Sequence, residues 1–137
     1  MTTDGTAAGD SALSAQLRYL LTLSRPRFWL YLAGPVVVGV AAAARSVPEL
    51  FLPVGFALFG YFLFPANVLL YGVNDIFDAD IDTENPKKTA RESRWQGDQL
   101  VVATVVASGL LAVPLFGVTS TAAWPWLAGF LLLAVEY

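Results

Sequence analysis

The sequence predicts an all-α protein, a polytopic bundle of transmembrane helices, and three observations carry that prediction. Of its 137 residues, 56 % are hydrophobic and only 14 % are charged, whereas a soluble domain carries roughly a quarter charged residues. The apolar residues fall in long blocks, as a bilayer-crossing helix requires. Basic and aromatic residues gather at the ends of these blocks, where membrane meets water. Mean hydropathy is +0.59. With no cysteine and no histidine in the chain, disulfides, thiolate metal sites and the usual neutral-pH base are excluded. Any chemistry must run on carboxylates, Lys, Arg, Tyr, Asn or a bound hard cation. The net charge of −3 is small, and nucleic acid is not an expected partner.

Residues 1–10 are rich in Thr, Ala, Gly and Asp and are expected to form a disordered tail. They lack the basic opening of a secretory signal. In residues 11–24, SALSAQLRYLLTLS, the residues Leu13, Leu17, Leu20 and Leu21 recur at helical spacing opposite Ser, Gln and Arg. That pattern predicts an amphipathic helix, which either lies on the membrane surface or leads into the first span. Spans are predicted over about 28–44, 50–73, 100–118 and 121–137. Arg25 and Arg27 stand at the mouth of the first, with Phe28, Trp29 and Tyr31 as interfacial aromatics. Pro35 falls inside it, which membrane helices tolerate. Asp98 is a candidate N-cap for the third.

Orientation follows from the cations. Arg18, Arg25 and Arg27 precede span one, and Lys87, Lys88, Arg91 and Arg94 lie between spans two and three. An even number of crossings separates the two groups, so they share a side. The positive-inside rule makes that side cytoplasmic, in a multi-pass protein of the cell membrane with its N-terminus inside.

The unusual feature is VLLYGVNDIFDADIDTENPKKTARESRW, in which acids crowd the end of span two. If the helix continues through them, Asp75, Asp78 and Asp82 fall on one face, within about 60° of arc. Tyr71 and Asn67 extend that face into the membrane, Asn74 flanks it, and Asp80 points elsewhere. Like charges at this spacing repel, and a hard divalent cation offsets the repulsion. Mg²⁺ binds through one or two carboxylates and completes its shell with water and substrate phosphate. Lys87, Lys88, Arg91 and Arg94 offer a second hold on phosphate oxygens. The plain alternative is a solvated acidic loop that stops the helix from sliding into the bilayer. Against it stand the shared face, the abutting basic cluster, and Asn67, a polar amide inside an apolar span.

The run Asn74-Asp75-Ile76-Phe77-Asp78-Ala79-Asp80-Ile81-Asp82 resembles the N-D-x-x-D-x-x-x-D motif of the UbiA-type intramembrane prenyltransferases, matching all four defining positions. SRPRFWLYLAGP and NPKK are similar to the haloarchaeal carotenoid branch of that family, the lycopene elongases of bacterioruberin synthesis. The resemblance implies an all-helical enzyme of about nine spans, with two Asp-rich motifs holding Mg²⁺ and the diphosphate of an allylic donor. Asn74, Asp75, Asp78 and Asp82 would be the first motif. Lys87, Lys88, Arg91 and Arg94 would be diphosphate contacts, and Tyr137 would begin the family's Tyr-Ser-x-Pro-Pro turn. The second motif is missing, so the chain is expected to be the N-terminal half of such an enzyme, about four spans long and incomplete alone.

The expected reaction is Mg²⁺-dependent transfer of a prenyl group from an allylic diphosphate to a lipophilic acceptor: lycopene, or a quinone or lipid precursor. Tyr71 is the leading candidate to stabilise the allylic cation, ahead of Tyr61, Phe64 and Phe77. Asn67 is grouped with the substrate-binding residues. The rival readings are a cation-transport fragment and a non-catalytic membrane protein with an acidic cytoplasmic loop. The phosphatidyltransferases that use Asp-rich helices lack a counterpart to their Asp-Gly-x-x-Ala-Arg signature here.

Overall fold

A computed structural model describes residues 4–78 and 99–136, with side chains described over 14–78 and 99–136. The described residues are helical, with no strand among them. Among the described residues seven helices follow in order: α1 (Asp4–Leu23), α2 (Trp29–Ala43), α3 (Pro53–Leu63), α4 (Pro65–Phe77), α5 (Gln99–Leu110), α6 (Val113–Val118) and α7 (Trp124–Glu136). Short 3₁₀ turns at Pro26–Phe28, Val47–Phe51 and Thr121–Ala123 open the segments that follow them.

Three segments are long and apolar enough to cross a membrane: Ser14–Ala43, Pro53–Phe77 and Gln99–Val118. The fourth apolar run, Thr121–Glu136, is shorter than the roughly 17–25 residues a crossing helix needs. Helix α1 starts at Asp4, inside the stretch expected to be a disordered tail. Elongating an existing helix is far easier than nucleating one, so the leucine-rich turns that follow can carry it back toward the terminus.

Proline sets the joints. Pro65 has no N–H to give and cannot continue α3, and Phe64 leaves helical geometry with φ −123° and ψ −63°. One apolar run thus becomes two helices joined at Phe64. The Asn67 amide closes the break, donating to the carbonyls of Phe62 and Leu63 at 3.0 Å each. These are the carbonyls that a broken ladder would leave short of donors.

Helix α4 is the centre of the bundle and packs on α5, α7, α3 and α1. Its buried residues are Ala66, Asn67, Val68, Leu69, Gly72, Val73 and Asp75. One core joins Leu23, Val68, Leu69, Val73, Val101, Val105 and Ala134; another joins Tyr61, Ala66, Ala112, Leu115 and Leu127. Gly72 lets α4 and α5 approach, because a Cβ there would collide with the Val105 side chain. The outer surface is apolar as well: Leu30 is 67 % exposed, Leu132 65 % and Trp126 81 %. Such a surface is costly in water and ordinary in lipid.

Candidate functional site

The site gathers where the last turn of α4 meets the corner between α1 and α2. Asp75 lies in that last turn and is buried, with 4 % exposure. Asp78 caps the helix: its N–H donates to the Asn74 carbonyl at 2.8 Å, and its side chain is exposed. The two carboxylates, one helical turn apart, therefore occupy different surroundings, one under the bundle wall and one facing out. Both stand at the negative end of the helix dipole, where anions are disfavoured and cations favoured.

A cation is supplied from a distant part of the chain. Arg25 Nη2 lies 3.5 Å from Asp75 Oδ1, and the Arg25 guanidinium carbon sits 4.5 Å from the centroid of the Tyr71 ring. The corner that carries Arg25 is tied down by its own hydrogen bonds. Ser24, fully buried, donates from Oγ to the Leu21 carbonyl at 2.8 Å. The Trp29 indole N–H reaches both the Ser24 carbonyl at 3.2 Å and its Oγ at 3.0 Å. Aromatic contacts then dock the corner on α3 and α4. Phe28 lies 6.0 Å from Tyr71 between ring centroids, and Trp29 meets Phe64 edge-on at 5.8 Å. Charge, cation–π and ring packing converge on one spot, the mouth of α4.

The structure brings Tyr71 and Asp75 together and sets Asn74 and Asp78 at the same helix end. Asn67 lies fully buried further back, its amide N–H groups occupied by the α3–α4 break and its Oδ1 without a hydrogen-bond partner among the described residues. Its visible work is to mend the helix. One face of the Tyr71 ring already carries a cation, so a second positive charge would find that face taken. Asp82, Lys87, Lys88, Arg91 and Arg94 lie outside the described residues, as do Asp80, Asp98 and Tyr137. Among the described residues, no three acidic, His or Cys side chains are grouped to hold a metal. The donor chemistry nevertheless suits Mg²⁺, which takes hard oxygen ligands and needs only one or two carboxylates from protein.

Sequence reasoning misses the part Arg25 plays here and reads it only as a cation at a membrane boundary. The available signal was Arg25-Pro26. A residue before proline is steered away from helical geometry, so a sharp corner, with its side chain free to turn inward, was to be expected there.

No family model matches the chain, and no solved structure matches it. Among curated proteins, the chain is 63 % identical over 134 residues to a lycopene elongase/hydratase of Haloferax volcanii, covering 98 % of this chain and 44 % of that protein. It is 52 % identical over 120 residues to a lycopene elongase/hydratase of Halobacterium salinarum, covering 88 % and 44 %. It is 31 % identical over 129 residues to a C(50) beta-cyclic carotenoids biosynthesis protein of a Dietzia species, covering 86 % and 28 %. The chain thus spans less than half the length of the curated relatives it matches. All three are named for carotenoid chemistry.

Proposed function

We propose that this chain carries the first carboxylate site of a membrane-embedded, UbiA-type prenyltransferase that acts on a carotenoid, with lycopene the leading acceptor. The observation that carries the reading is Asp75 at the C-terminal mouth of α4, held beside Arg25 and Tyr71, in a chain 63 % identical to a lycopene elongase/hydratase. The relatives favour a carotenoid acceptor over a quinone or lipid precursor. The apolar exterior suits substrates with long lipidic bodies, since a polyene and a prenyl tail can both reach the site from within the bilayer.

The roles are those that the resemblance to the UbiA-type family implies. Asp75, Asp78 and Asp82 would hold Mg²⁺, with Asn74 flanking them. The ion, when bound, supplies Lewis-acid neutralisation of the departing diphosphate. Lys87, Lys88, Arg91 and Arg94 bind its oxygens with charge-assisted hydrogen bonds. On the cytoplasmic side, these residues meet a water-soluble diphosphate head while the spans receive its tail. The carbon–oxygen bond of the donor breaks, and its electron pair leaves with the diphosphate. A terminal double bond of the polyene then attacks the allylic carbon. The new carbocation loses a proton, or takes up water that in turn loses one. The second outcome accords with the relatives' double name. Tyr71, with one face under Arg25, contributes to cation stabilisation only through its other face, and otherwise fixes the guanidinium.

The test is transfer itself. Membranes containing a version of the protein extended to the full length of its relatives, given a series of prenyl diphosphates with lycopene and Mg²⁺, should yield a prenylated carotenoid. Chelation should stop the reaction and added Mg²⁺ restore it. Product formation that ignores chelation would remove the metal role. No carotenoid product with any donor would remove the function.

A further inference from the structure

Arg25 is the one described residue other than glycine with a positive φ, at 48° with ψ 73°. A side chain in the left-handed region costs roughly 1–2 kcal/mol. The following Pro26 biases Arg25 toward extended geometry as well. Glycine would take this corner without penalty. Backbone strain of this kind persists where the surroundings over-determine it, and it gathers at functional sites. Here the side chain shows what the strain serves. From this corner the guanidinium lies 3.5 Å from the buried Asp75 carboxylate and 4.5 Å from the Tyr71 ring centroid. The side chain is itself three-quarters covered, at 25 % exposure. An ordinary helical or extended residue at position 25 would send its side chain elsewhere.

We propose that Arg25 is a positioning residue, which holds the Asp75 carboxylate and the Tyr71 ring in one fixed arrangement at the mouth of α4. The Asp75 carboxylate stands at a helix C-terminus near a second acid, a place that pushes it away. Arg25 offsets that push and fixes the rotamer. It acts through Asp75 and Tyr71. As far as catalysis goes, the proposal rests on the prenyl-transfer reading; the coupling of the three side chains does not.

Two measurements separate these layers. The first is thermal unfolding of the purified protein in lipid for Arg25→Gln, Asp75→Asn and the double variant. Coupled residues give a double variant whose melting temperature is no lower than that of the worse single variant. Strict additivity would overturn the pairing, because residues without shared contacts add. The second is prenyl transfer by the chain extended to the full length of its relatives. Arg25→Gln should lower kcat by about 100-fold, the cost of a misplacement of about 1 Å, with KM for the donor changed much less. Arg25→Lys keeps the charge but loses the planar stack, and should recover part of that loss. Arg25→Gly relieves the backbone and should be as slow as Arg25→Gln. Wild-type turnover in Arg25→Gly would reduce Arg25 to a corner residue and sink the proposal. Should Arg25→Gln fail to fold, the Lys and Gly variants decide. If the extended wild-type protein transfers no prenyl group at all, the functional reading falls while the unfolding cycle still judges the coupling.

Discussion

At the scale of single residues, surroundings decide what equal chemistry can do. Asp75 and Asp78 are both carboxylates on one helix, yet one is buried beside a guanidinium and the other faces outward. An open carboxylate depends on a metal for its countercharge, whereas a covered one keeps a cationic neighbour, here Arg25, whether or not a metal joins it. In a full-length version, Asp78→Asn should therefore abolish Mg²⁺-dependent transfer, by 100-fold or more on the scale of a lost electrostatic contact in a closed site. Expression and membrane insertion should remain near normal. Turnover like that of the wild type would refute the metal role. Asp80→Asn should be far milder, since a helical reading of the motif leaves Asp80 off the face of Asp75, Asp78 and Asp82, and a loss equal to that of Asp78→Asn would show that the face does not matter.

At the scale of elements, the break between α3 and α4 decides where the site sits. It divides the run from Pro53 to Phe77 into α3 and α4, and α4 packs on α5 and α7. Asn67 mends that break with two hydrogen bonds. Asn67→Ala should destabilise the protein by about 1–3 kcal/mol, the cost of leaving buried polar groups unmade, as read from thermal unfolding. A stability equal to wild type would show the clamp to be idle. Gly72 makes the other demand. Gly72→Ala forces its methyl against Val105, a β-branched side chain with little rotamer freedom. Overpacking of this kind costs about 1–3 kcal/mol, and an unchanged melting temperature would mean that α4 and α5 can part freely. Pro65 and Gly72 are both plain in the sequence. A lone polar residue in an apolar span reads naturally as a ligand, so Asn67 points toward substrate until its neighbour Pro65 is weighed.

At the scale of the whole molecule, charge and apolar surface set how the chain sits in a membrane. Seven of the eight cations lie before span one or between spans two and three, and the positive-inside rule predicts that both regions face the cytoplasm. The natural absence of cysteine makes single-cysteine mapping clean. In intact cells, Ser46→Cys, in the exposed turn between α2 and α3, should react with an impermeant thiol reagent. Thr89→Cys should react only after the membrane is opened. Labelling of both from outside would invert or break the topology, and would strand the diphosphate site on the wrong side.

The sequence alone determined that the chain is helical and lies in a membrane, and it marked the mouth of α4 as the place where acids collect. These are local and additive properties: transfer cost summed along a run, charge counted along a segment, spacing read against a helical turn. It could not determine which cation meets Asp75. Arg18, Arg25, Arg27 and the later basic cluster were equal on paper. Only the tertiary structure chose Arg25, because the choice depends on a left-handed corner, on the end of α4 packed beside it, and on rings that dock the two. Contacts between distant segments are set by how surfaces pack, and a single sequence carries no record of that packing.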